Sequence, residues 1–191
     1  MREEGTKIVA EDGQITVSNA DEVQGEAIDQ YRSRPSSTTL AVDYSTAETV
    51  IAATAAKICH VLGDKAFYYY PPADYILLPL RWQFETGPGG LPGYFYAVFH
   101  ELAHWSEWRL GWKGNYALAE LRAEIVAAFL ATEVGIPCLD RCNDNHARYL
   151  PCWVRAMKSD HSVIFEVAAA ASAGTKFILS FSRKHGEYAS A

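Results

Sequence analysis

Two histidines one helical turn apart constrain this chain more than any other feature. Residues 100–105 read His-Glu-Leu-Ala-His-Trp, an HExxH pattern. On a helix, positions four apart share a face. His100 and His104 can therefore aim imidazole nitrogens at one zinc ion. Two neutral imidazoles leave that ion cationic, which lowers the pKa of a bound water. Glu101 sits beside the pair and is the candidate to take a proton from that water and return it to a leaving amine. The flanks decide whether the pattern is more than a surface helix. Phe95, Val98, Leu102 and Trp105 follow the 3, 4, 3 spacing of a buried stripe. The spacing predicts a helix from Pro92 to Leu110 that packs into a core.

A core of that kind needs a chain long enough to build it. The protein has 191 residues, 49% of them hydrophobic and 13% aromatic, which suffices for one domain. The net charge of -6 comes from scattered acidic residues and argues against a broad phosphate-binding face. No membrane span is expected, because no apolar run reaches the ~20 residues a bilayer requires. The first residues, MREEGTKIVAEDGQ, lack the apolar centre of a signal peptide, and a cytoplasmic location is the expectation. Cys59, Cys138, Cys142 and Cys152 include one C-x3-C spacing without a second close pair, so free thiols are expected.

The chain divides by texture. Residues 1–44 are polar and mixed. KIVAEDGQITVS predicts a hairpin about Asp12-Gly13, and RSRPSSTT predicts a linker. A domain is expected over residues 45–182 and a tail over 183–191. Within the domain, a helix is expected from Ser45 to Leu62, with Val50, Ile51, Ala55, Ile58 and Leu62 inward. Strands are expected at Lys65–Tyr70 and Asp74–Leu78. Further helices are expected at Tyr116–Val134, Asn145–Lys158 and His161–Phe181.

A catalytic zinc site normally has three protein ligands and one open position. The Tyr116–Val134 helix offers Glu120 and Glu124 on one face, continued by Ala127 and Ala131. Leu121, Ile125, Ala128 and Phe129 form the stripe expected in the core. Glu120 is the expected third ligand, with Glu124 accepting a hydrogen bond from a ligand histidine's other nitrogen. The reverse assignment, or two solvent-facing glutamates, also fits the spacing. His146 can line the cleft and hydrogen-bond an oxyanion, or simply lie on the surface. Tyr68, Tyr69, Tyr70 and Tyr116 can donate to a tetrahedral intermediate, and sheet packing accounts equally well for the first three.

Several ordered blocks carry a resemblance. AFYYYPPADYILLP, YFYAVFHELAHW, YALAELRAEIVAAFLATEVGI, HARYLPCWVRAMKSD and IFEVAAAASAGTKFIL resemble the metallopeptidase domain of polyvalent proteins. That domain also forms the C-terminal part of ArdC-type antirestriction proteins. The resemblance covers about residues 45–182. It implies a zincin-like α+β fold, with a small mixed sheet packed on the HExxH helix and several further helices. It implies Zn2+ held by His100, His104 and a glutamate of the next helix, with Glu101 as catalytic base. Similarity to gluzincins, whose ligand glutamate precedes a polar residue by four, favours Glu120. Two departures stand out. Ala119-Glu120 occupies a place where the family often has two glutamates, and residues 1–44 are too few for the single-stranded-DNA-binding domain that precedes the ArdC peptidase.

The resulting expectation is a zinc metallopeptidase acting on a protein or peptide, with substrate along an edge strand such as Asp74–Leu78. Nucleic acid is not an expected partner of this domain alone. The competing reading is a non-catalytic, zinc-stabilised scaffold that binds a protein as a regulator or antirestriction factor.

Overall fold

A computed structural model describes residues 43–87, 89–137 and 144–189; side chains are described in the last stretch only over 149–183. The expected hairpin and linker, the C-x3-C pair and the side chains of His146 and His185 lie outside the described residues.

The first helix, α1 (Ser45–Ala53), stops well short of Leu62. Thr54 ends it: its hydroxyl donates to the Ile51 carbonyl at 2.7 Å and accepts the Ala56 N–H at 3.2 Å. Short hydroxyl side chains offer the backbone such alternatives to helix. Ala55 then turns to φ 52, a left-handed conformation that breaks the helical path. The apolar residues Ile58–Val61, expected as helix, instead form strand β1. A short apolar run fits either period, and pairing partners decided this one.

Strands β2 (Phe67–Tyr69) and β3 (Tyr75–Pro79) lie where strands are expected and pair antiparallel, with Tyr69 opposite Tyr75. β1 pairs with β3 in parallel, Ile58 opposite Ile76. The order is β1-β3-β2, so the sheet is mixed, as expected. β3, taken from the sequence as an edge strand, is central. The two edges are β1 and β2. A five-residue helix that the sequence reading missed, α2 (Arg81–Glu85), leads to the long helix α3 (Gly90–Leu110).

α3 carries the HExxH residues. It ends at Gly111, whose φ of 68 suits glycine. Its predicted stripe is buried: Phe95, Val98 and Leu102 are fully enclosed and Trp105 nearly so. Tyr68, Ile76 and Leu78 from the inner sheet face join them in one core.

Next comes α4 (Tyr116–Glu133), whose first turn is capped by Asn115 Oδ1 accepting the Leu118 N–H at 3.1 Å. Its core stripe departs from expectation. Ala128 and Phe129 are exposed, and Ala119, Ala123, Val126, Ala127 and Leu130 are buried in their place. The small residues Ala123, Ala127 and Ala131 allow α3 and α4 to lie close.

Helices α5 (Asp144–Ser159) and α6 (Val163–Ala189) complete the fold. Within α6, Val163–Arg183 spans 21 residues at mean hydropathy 1.4, long and apolar enough to cross a membrane. This corrects the expectation that no such stretch exists. One face of it packs inward: Val167, Ala171 and Ile178 are buried, and Phe177 and Phe181 meet Trp105 of α3 at tilted angles. α6 also approaches α4 at Gly174. A Cβ there would lie 2.5 Å from Arg122 Nη2, so a side chain at this position has to displace the guanidinium.

Candidate metal centre

The packing of α3 on α4 brings His100, His104 and Glu120 together. One ligand atom from each lies within 4.8 Å of the others. The two imidazole Nε2 atoms are 3.1 Å apart. Glu120 Oε2 lies 3.5 Å from His100 Nε2, and its Oε1 lies 3.6 Å from His104 Nε2. A tetrahedral ion with bonds of 2.0–2.1 Å separates its ligands by roughly 3.3 Å. The donor set and its spacing therefore fit a divalent ion. Of the described residues, this is the only histidine, cysteine and carboxylate group with such geometry.

Each ring's second nitrogen meets a carboxylate. His100 Nδ1 lies 2.8 Å from Glu124 Oε1. His104 Nδ1 lies 2.9 Å from Glu107 Oε1, a contact the sequence reading missed. The i, i+3 spacing of His104 and Glu107 on one helix was the available signal. Glu107 is buried. Its other oxygen accepts the Tyr70 hydroxyl proton at 2.6 Å, and Arg122 Nη1 lies 3.9 Å from Oε1. Arg122 is itself enclosed, donating to the Ala103 carbonyl at 2.9 Å and to Ser106 Oγ at 2.8 Å.

The electrostatics suit a cation. Burial opposes charge on His100, but Glu120 and Glu124 outweigh it and push its pKa up to about 10. Burial likewise opposes charge on Glu120, yet His100 and His104 hold its carboxyl below the usual range. Glu101 is also buried. Desolvation raises its pKa against the pull of both histidines and a backbone hydrogen bond from Tyr68. A carboxyl raised from its usual value is a better proton acceptor near neutrality.

The tyrosines separate by role. Tyr68 donates to Asp74 Oδ1 at 2.6 Å, and Tyr69 stacks on Tyr75 at 4.5 Å. Tyr116 is exposed, pairs with the Tyr149 hydroxyl at 3.0 Å and hydrogen-bonds Glu120 from one turn earlier. His60 Nε2 lies 3.1 Å from the Tyr94 hydroxyl.

A buried helix with paired histidines, a glutamate on the next helix and a small mixed sheet define a zincin-like fold. The profile of that family, zincin-like metallopeptidase, matches residues 45–171, and the chain belongs to it. Two solved structures of the antirestriction protein ArdC from plasmid R388 are similar. The Mn(II)-bound form matches at TM-score 0.60 and 30% identity over 71% of this chain and 51% of that one. The metal-free form matches at TM-score 0.60 and 29% identity over 82% and 56%. Among curated proteins, a DNA primase TraC of Escherichia coli is 34% identical over 148 residues, 72% of this chain and 10% of the primase. An uncharacterized protein, y4eC, of Sinorhizobium fredii is 27% identical over 119 residues, 57% of this chain and 36% of that protein. The chain thus spans about a tenth of the primase it matches. The polyvalent-protein and ArdC resemblance, and the α+β zincin-like fold, agree with these findings. The family and the Mn(II)-bound ArdC structure indicate a divalent metal.

Proposed function

We propose that residues 45–182 form a metallopeptidase domain, with residues 1–44 an extension to it and 183–191 a tail. The observation that carries this reading is the convergence of His100, His104 and Glu120 on one point beside the buried Glu101. In this reading the three residues hold Zn2+ as ligands, and Glu124 orients His100. Two imidazoles and one carboxylate suit zinc, which such donors bind more tightly than manganese. A bound divalent ion supplies Lewis acidity, polarising a carbonyl and acidifying water.

The chain's own residues do the rest. Glu101 takes the proton of the attacking water and returns it to the leaving amine. Its burial keeps that carboxylate poorly solvated and basic. Tyr116, exposed beside Glu120, donates a hydrogen bond to the developing oxyanion, and His146 of α5 is a second donor for that role. An extended peptide pairs with the edge strand β2. β2 replaces the Asp74–Leu78 segment in that role because β3 has neighbours on both sides. The substrate is a protein or peptide, the setting cytoplasmic, and the biological context antirestriction or mobile-element defence.

Glu101→Gln tests the reading. It should retain the metal and lower hydrolysis of an unstructured protein substrate by about 100-fold or more. Equal hydrolysis by wild type and variant would refute the role of Glu101. The similarity to ArdC, an antirestriction protein, supports a second reading, a scaffold that binds a protein without cutting it. Protection against a restriction enzyme that survives Glu101→Gln unchanged would favour that reading.

A further inference from the structure

The two histidines are backed in unlike ways. Glu124, behind His100, has a side chain 22% exposed, whereas Glu107, behind His104, has one 5% exposed. Glu107 is gripped from both oxygens: Oε1 faces His104 Nδ1 at 2.9 Å, and Oε2 takes the Tyr70 hydroxyl at 2.6 Å. Burial, together with the Glu107 carboxylate, raises the pKa of the Tyr70 phenol, which therefore stays a donor. Tyr70 directly follows β2, the strand whose Tyr68 backbone also hydrogen-bonds Glu101. Held at both oxygens, the Glu107 carboxylate presents a fixed lone pair to His104 Nδ1, keeps the proton there and leaves Nε2 bare.

We propose that Tyr70 is a positioning residue of the metal centre, acting through Glu107 to fix the ring and tautomer of His104. The inference rests on the metal-binding reading above. Its test is the affinity for zinc alone, measured by competition with a chromogenic chelator on the full chain. Wild type, Tyr70→Phe, Glu107→Gln and Tyr69→Phe are compared, with melting of the metal-free proteins reporting their folding. Tyr70→Phe should bind zinc about 10-fold more weakly. Glu107→Gln should weaken it at least as much, and Tyr69→Phe, which removes the neighbouring hydroxyl paired with Tyr75, should match wild type. The 15N shifts of His104 in the zinc form should show a single tautomer in wild type and exchange broadening in Tyr70→Phe. Undiminished zinc affinity in Tyr70→Phe would overturn the proposal, as would equal weakening in Tyr69→Phe. Should Tyr70→Phe fail to fold, Glu107→Gln decides by the same measure. Failure of wild type to bind zinc would instead overturn the metal-site reading on which it stands.

Discussion

Gly174→Ala sets two physical effects against each other. Replacing glycine by alanine inside a helix is worth about 1 kcal/mol in favour of folding. On that ground alone α6 should become more stable. The new Cβ, however, would stand 2.5 Å from Arg122 Nη2, 3.3 Å from Arg122 Cζ and 3.2 Å from Val126 Cγ2. Arg122 is 1% exposed and cannot swing into solvent. Its guanidinium is also committed to Ala103 and Ser106 on the helix that carries the histidines. Overpacking a tight core costs typically 1–3 kcal/mol, and a contact this close to a confined ion warrants the upper end, about 3 kcal/mol. The net is a loss of about 2 kcal/mol. For a chain of this size that lowers Tm by roughly 4–8 °C. Thermal unfolding followed by circular dichroism in metal-free buffer reads it directly. An alanine variant as stable as wild type, or more so, would show that Arg122 has room to move and refute the argument.

Two further predictions concern the ligands and protons. Glu120→Ala should lose bound zinc as measured by atomic emission, while Glu124→Ala should retain it at reduced affinity; loss only in Glu124→Ala would reverse the assignment. Metal binding requires a neutral His100, whose pKa in the metal-free site is about 10, so zinc affinity should climb roughly tenfold per pH unit between pH 7 and 9. The same group contributes to stability with the opposite trend. Its folded pKa lies above the unfolded value of 6.5, so the contribution is full below pH 6.5 and is lost as pH rises through 10. Metal-free protein should therefore melt at a lower temperature at pH 9.5 than at pH 7, apart from titration elsewhere. A metal-free Tm that does not fall over that range would contradict the raised pKa.

What the sequence revealed follows helical periodicity. The α3 stripe, the His100–His104 spacing and the Glu120–Glu124 face each join residues a few positions apart on one helix, where geometry is fixed by 3.6 residues per turn. β1 escaped because Ile58–Val61 is apolar throughout and its strand character comes from pairing with β3, which is distant in sequence. Phe129 was placed inward because its hydrophobicity matched a stripe, but the turn of α4 that carries it faces out, and Arg122 occupies the interior instead. No periodicity announces a buried arginine, because its burial depends on carbonyl and hydroxyl partners supplied by another helix. Tyr70 was weighed as a hydroxyl donor to substrate, and its contact with Glu107 joins residues 37 apart in sequence.

The unequal enclosure of the two backing carboxylates bears on how an ion would leave. Exchange of a chelated ion proceeds by one arm detaching first, and the arm that detaches is the one whose support solvent can reach. His104 is tethered through a closed chain to Tyr70, whereas His100 stands beside Glu124 nearer the surface. The site then has a wetter side and a drier side. Departure should begin at His100, and its rate should respond to changes at Glu124 more than the depth of the site would suggest.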